Sequence, residues 1–163
     1  MKTQLTAAGV RAGDGYIYCE IQKSQARFKR IRNPEGPDSG VGNFFLLLDI
    51  TALEKAVHIP ISIASSKKPT VFVYQIEGTA EGDISTTDIS CRGEGVSKVT
   101  LGTLLYAKIP PGKTAAFRIQ VEMKGKPGKE YKIVLNRVNY KLDASDARYK
   151  KFETAIGTKI LST

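Results

Sequence analysis

Leu101–Met123 reads LGTLLYAKIPPGKTAAFRIQVEM, and its alternation of apolar and polar side chains decides the fold class. Two runs, Leu104–Ile109 and Thr114–Met123, flank the turn Pro110-Pro111-Gly112-Lys113. In the second run Ala115, Phe117, Ile119, Val121 and Met123 share one side, while Thr114, Ala116, Arg118, Gln120 and Glu122 share the other. A period of two belongs to a strand with one buried and one wet face. Such a strand needs a second apolar surface over it, so the chain is expected to form two packed sheets.

Working outward, Tyr16–Ser24 alternates Ile17, Cys19 and Ile21 with Tyr16, Tyr18, Glu20 and Gln22, the pattern of another strand. Gln25–Arg32 is strongly basic and reads as a strand with a positive outer face. Asn33–Asn43 (NPEGPDSGVGN) is dense in turn residues and is expected to be a loop. Phe44–Thr51 (FFLLLDIT) is nearly all apolar, as in a mid-sheet strand buried on both faces. Val57–Ile63 alternates again, but Pro60 confines it to an edge or a bulge because proline cannot donate to a ladder. Thr70–Glu77 and Glu130–Tyr140 are further strands, with a weak one within Gly78–Gly95 at Asp88–Cys91. In the tail, the three-and-four spacing of Tyr149, Phe152, Ile156 and Ile160 permits a helix, yet Gly157 and the threonines favour a strand. Short strands separated by turn clusters predict an all-β fold, a sandwich of two antiparallel sheets, with a jelly roll as the alternative.

At 163 residues and 17.8 kDa the chain is expected to hold a single β-sandwich domain over residues 16–163. Residues 1–15, polar and rich in Gly and Ala, read as a flexible arm or exchanged strand. Seven Tyr and six Phe supply core bulk without any Trp. No apolar run approaches the length of a membrane span, the longest being Phe44–Leu48, and the first residues lack the apolar segment of a secretory signal. The net charge of +9 favours anionic partners such as nucleic acid or acidic glycan. Cys19 and Cys91 form no CxxC motif; each lies in or beside a strand, which suits an inter-sheet disulfide and suits two buried thiols equally.

Ala107–Val121 resembles the turn-and-strand near the end of many bacterial immunoglobulin-like modules: a small apolar strand, Pro-Gly, a charged residue, Thr and an alternating strand. Phe45–Pro60 (FLLLDITALEKAVHIP) is similar to a strand pattern in β-sandwich domains of bacterial surface proteins, and Glu130–Tyr140 with Lys151–Thr154 resembles their closing strands. His58 stands where that family usually carries an aromatic. The resemblance implies surface-exposed modules without catalytic residues, and it rests on turn and core positions, which indicate fold rather than activity.

The chemistry of the residues points the same way. His58 is the single histidine, and its phase in VHIPISI is opposite to Val57, Ile59, Ile61 and Ile63, so it is expected at the surface. No nucleophile motif and no phosphate-cradling glycine loop occurs, and no cofactor is expected. Glu77, Glu81, Asp83 and Asp88 are weak calcium candidates whose spacing does not match an EF-hand loop. The best functional lead is basic. Lys23, Arg27, Lys29, Arg30 and Arg32 surround Phe28, and Lys124, Lys126, Lys129 and Lys132 surround the next hairpin turn. If both groups met on one face they would form a polyanion footprint, with Phe28 or a Tyr for stacking. Alternating cations on an outer strand also protect a sheet edge from stray pairing.

Three functions follow. The first is a non-catalytic structural or adhesive module at the cell exterior, whose partners are other protein modules. The second is a self-assembling subunit of a filament, sheath or coat that exchanges its terminal arm with other copies. The third is a polyanion-binding module. An extracellular or surface location suits the first, and the sequence leaves a cytoplasmic one open.

Overall fold

The computed structural model describes residues 10–61, 72–76, 84–128, 130–131, 133–157 and 161–162. Every regular element among the described residues is a strand. In chain order these are β1 (Val10–Gly13), β2 (Ile17–Ile31), β3 (Ser39–Ala52), β4 (Val57–Pro60), β5 (Phe72–Ile76) and β6 (Ile84–Arg92). There follow β7 (Ser97–Leu101), β8 (Leu104–Ile109), β9 (Thr114–Gly125), β10 (Glu130–Tyr131), β11 (Ile133–Tyr140), β12 (Lys150–Gly157) and β13 (Leu161–Ser162).

The alternating run Thr114–Met123 becomes β9, flanked by β3 and β6 in a five-stranded antiparallel sheet of order β1-β2-β3-β9-β6. Its inner rows run straight across the strands. Ile21 pairs with Leu48 and Leu48 with Phe117; Ser24 pairs with Leu46 and Leu46 with Ile119. Phe117 is fully buried, as are Ile21 and Leu48, and each such apolar side chain contributes on the order of 1.5–3 kcal/mol of transfer free energy.

Two further three-stranded sheets, β4-β8-β7 and β12-β11-β5, and the short pair β10-β13 complete the fold. The three-stranded sheets join through a bridge between His58 and Lys141, whose backbone N–H groups each donate to the other's carbonyl, at 2.7 and 2.9 Å. β4 and then β5 run antiparallel to β11 in the same sense: His58 lies opposite Lys141, Phe72 opposite Val138 and Ile76 opposite Ile133. A single core unites the sheets, with Ile59 and Ile109 from β4 and β8 and Val138 and Phe152 from β11 and β12 packing with the inner face of the five-stranded sheet. Open antiparallel sheets over one shared core are consistent with a β-sandwich.

Asp14, between β1 and β2, ties the five-stranded sheet to the β12-β11-β5 sheet. Its Oδ1 accepts the Tyr16 and Ile17 N–H groups at 2.8 and 2.9 Å, and its Oδ2 accepts the Tyr140 hydroxyl at 2.6 Å. Burial, and then Asp14 itself, hold the Tyr140 hydroxyl well above the usual phenol range.

Several expectations need correction. The loop expected over Asn33–Asn43 ends at Asp38, because Ser39–Asn43 already pairs with β2 and Gly40–Asn43 also with β9. Gly40 and Gly42 are strand residues: a Cβ on Gly40 would collide with the ring of Phe28 on the neighbouring strand. The runs expected over Tyr16–Ser24 and Gln25–Arg32 merge into one strand, β2 (Ile17–Ile31), broken in phase by a bulge at Gln22. The weak strand of Asp88–Cys91 is the nine-residue β6. Within the expected arm, Val10–Gly13 pairs with β2, and the described tail segment Lys150–Gly157 is a strand, as Thr154 and Gly157 suggested.

Cys19 and Cys91 are free thiols of the same five-stranded sheet, with β3 and β9 between their strands. Three strand spacings, about 14 Å, separate those positions, far beyond the reach of a disulfide. Burial, with Asp14 adding, pushes the Cys19 thiol up to about 12, and burial also raises Cys91. His58 is buried at 9% exposure instead of facing solvent, because the chain at Lys141 lies alongside it, and its Nδ1 has no hydrogen-bond partner.

Candidate polyanion-binding face

The bulge at Gln22 decides which side chains of β2 meet water. Before it the odd residues Ile17, Cys19 and Ile21 point inward; after it Ser24, Ala26 and Phe28 do. Lys23, Gln25, Arg27 and Lys29 therefore share the outer face with the odd residues of β3 and the even residues of β9. Four rungs cross the three strands: Lys23–Leu47–Arg118, Gln25–Phe45–Gln120, Arg27–Asn43–Glu122 and Lys29–Val41–Lys124. Successive rungs lie about 7 Å apart, and the outer strands about 10 Å apart.

The residues of the first three rungs other than Leu47 and Glu122 line an open groove of about 570 Å3. At its centre the Arg118 guanidinium lies 4.9 Å from the centroid of the Phe45 ring, a cation–π contact on an exposed surface. None of Lys23, Arg27, Lys29, Arg118 and Lys124 forms an ion pair with a described residue. Glu122 is the acid among these four rungs. The next rung, Glu20–Asp49–Ala116, brings two more carboxylates. Burial raises the Asp49 carboxyl and Glu20 adds to it, against the Gln22 amide that donates to it at 3.0 Å. The face thus grades from acidic at one end of β2 to basic at the other.

Of the residues expected from sequence, Lys23, Arg27, Lys29 and Lys124 come together here, and the two basic groups meet at the rung of Lys29 and Lys124. Phe28, Arg30, Arg32 and Lys126 do not join them. Phe28 lies on the opposite side of β2, packed against the core over Gly40, because the bulge reverses the phase. Arg30 shares that phase and binds Asp38 at 2.6 Å, and the Asn33 N–H followed by Arg30 holds the Asp38 carboxyl below the usual range. Arg32 is exposed beyond the end of β2, and Lys126 beyond β9, where its N–H donates to the Tyr131 hydroxyl at 2.8 Å. Lys129 and Lys132 lie outside the described residues, as do Glu77, Glu81 and Asp83 of the calcium candidates. Asp88 sits opposite Gln120 on β6, and among the described residues no cluster of three His, Cys, Asp or Glu could hold a metal.

Sequence reasoning missed Gln25, Asn43, Phe45, Arg118 and Gln120 as site residues. The alternation of β9 already put Arg118 and Gln120 on its wet face, but their neighbours depend on strand pairing.

A second concentration of charge is buried. Lys141, 8% exposed, places its Nζ 4.6 Å from the Tyr149 ring centroid and 5.5 Å from that of Tyr106, and donates to the Tyr106 hydroxyl at 3.4 Å. The Tyr149 hydroxyl stands 3.4 Å from that of Tyr106, and burial followed by this contact holds it above the usual phenol range. This lysine is enclosed by rings and offers no surface to a polymer.

No helix among the described residues is long and apolar enough to cross a membrane. Compared with protein-family models, curated proteins and solved structures, the chain matches none.

Proposed function

We propose that the chain is a non-catalytic adhesive module, an immunoglobulin-like β-sandwich working at a cell exterior, that holds an anionic polymer against the outer face of its five-stranded sheet. The observation that carries this reading is the set of five cations on that face without ion-pair partners among the described residues, in rows that cross β2, β3 and β9. A cation paired with a neighbouring carboxylate has little left for a ligand, as Arg30 with Asp38 illustrates. Cations left in water at regular spacing attract a polymer that carries charge at regular spacing, and each contact displaces counterions. The sequence pattern of Phe45–Pro60 and Ala107–Val121 supports the immunoglobulin-like plan and the exterior location.

Titration of the purified chain with heparin tests the reading. Affinity is expected to fall by roughly a hundredfold between about 50 and about 200 mM salt, with a shallower slope in a Lys23→Gln, Arg27→Gln double variant. Binding that ignores salt, or a double variant indistinguishable from the parent, overturns it.

A further inference from the structure

Resting on that reading, the groove's composition says which kind of anionic polymer it takes. We infer that it is an acidic polysaccharide, lying across β2, β3 and β9, with its acid groups held by Lys23, Arg27 and Arg118 and its hydroxyls by the amides of Gln25 and Asn43.

A face that recognised charge alone would need only cations. Here the rungs alternate: Lys23 and Arg118 flank Leu47, then Gln25 and Gln120 flank Phe45, then Arg27 lies beside Asn43. An amide presents a donor and an acceptor together. A phosphodiester or polyphosphate backbone offers acceptors along its length, so the carbonyl halves of the Gln25 and Asn43 amides would lose water without finding a donor. Sugar hydroxyls are both donors and acceptors and satisfy both halves.

The aromatic tells against single-stranded nucleic acid, whose binders keep ring faces open for bases to stack on. Phe45, the ring at the centre of the groove, has Arg118 over its face at 4.9 Å. On the described part of this face Tyr18 is the next aromatic along β2, and the acidic rung of Glu20 and Asp49 stands between it and the groove. A guanidinium lying on a ring is held in orientation while its N–H fork remains available to a carboxylate or sulfate. Lys23 and Arg118, about 10 Å apart, span two strand spacings, which suits acid groups carried on nearby sugar rings of one chain.

The experiment compares four probes on the full chain at matched anion concentration and fixed salt: polygalacturonate, heparin, oligodeoxythymidylate and polyphosphate. A Gln25→Ala, Asn43→Ala double variant keeps every charge, and Lys55→Gln, in the turn after β3, serves as the charge control. Thermal melts confirm that each variant is folded. The expected result is tighter binding of a glycan than of the other two polymers, a loss of about tenfold for that glycan in the amide variant, and unchanged polyphosphate binding. Which glycan binds separates carboxylate from sulfate as the acid group. If all four bind in proportion to charge, or the amide variant behaves as the parent, the glycan assignment falls and the polyanion face stands. Tighter oligodeoxythymidylate binding replaces the glycan with nucleic acid. Binding of none of the four overturns both.

Discussion

The two faces of the five-stranded sheet are made from the same strands and follow opposite rules. On the inner face of β9, Ala115, Phe117, Ile119, Val121 and Met123 are all buried, within a core that reaches the other sheets. One residue away, Arg118 lies in solvent over Phe45. The inner rows fix the fold through area removed from water, whereas the outer rows contribute little to folding and carry the proposed polyanion contacts. What assigns β2 side chains to one face or the other beyond Ile21 is a single extra residue, Gln22, so the candidate site exists because of a bulge.

Moving a charge across the bulge is the strongest way to break the distinction. Deleting Gln22 would not do it: Ile21 opposite Leu48 would be followed directly by Lys23 opposite Leu47, a regular ladder with both faces kept. The exchange Lys23→Ser, Ser24→Lys keeps the composition but places a cation at an inward position that is 5% exposed in the parent. An unpaired buried cation costs several kcal/mol, much of the stability of a typical domain, about 5–15 kcal/mol. The exchange variant should melt far below the parent by circular dichroism, whereas Lys23→Ser alone should melt near it. An exchange variant that melts like the parent would mean that the bulge does not set the phase.

Neighbouring substitutions on β9 sharpen the comparison at lower cost. Phe117→Ala empties a fully buried site and should destabilise the chain by about 3–5 kcal/mol. Arg118→Ala loses one exposed cation–π contact, worth about 0.5–1 kcal/mol, and should leave the denaturant midpoint near that of the parent while weakening heparin binding several-fold. Equal destabilisation by the two would show that Arg118 serves the fold.

How much of this was legible in the sequence follows from the range of each signal. The alternation of Thr114–Met123 gave β9 and its wet face, Arg118 included, because period-two patterning is local. The bulge was not legible: alternation holds on both sides of Gln22, and the extra residue shows only against a partner strand, where Ile21 meets Leu48 and Lys23 meets Leu47. Phe28 was accordingly placed among the cations when it packs over Gly40. Gly40 and Gly42 made the start of β3 look like a loop, although a glycine is what the approach of Phe28 demands at position 40. Phe45 was hidden in FFLLLDIT, where both faces are apolar and nothing marks the outer one. The Arg118–Phe45 pair joins distant parts of the chain, and pairing of strands is the information that one sequence read by pattern lacks.

The smallest expected effect lies where the inner phase of β2 runs out into water. Arg30 follows Phe28 in phase, but there is no core left for it, and it turns to Asp38, whose carboxyl also accepts the Asn33 N–H at 3.0 Å. Those contacts lower the folded-state value of Asp38. The unfolded chain therefore takes up the proton first as pH falls, so the contribution is complete above the ordinary aspartate value of about 3.9 and is lost as pH drops through the lowered one. Asp49, raised mainly by burial, works in the opposite sense: its folded form protonates first, favouring the fold as pH falls through its raised value. Urea midpoints measured from pH 6 down to about pH 2 should thus decline less steeply in Asp38→Asn than in the parent. Identical acid branches would assign the loss to other carboxylates and leave the Arg30–Asp38 clamp without a part in ending the strand. The clamp lies in solvent, so this difference is expected to be the least of the three.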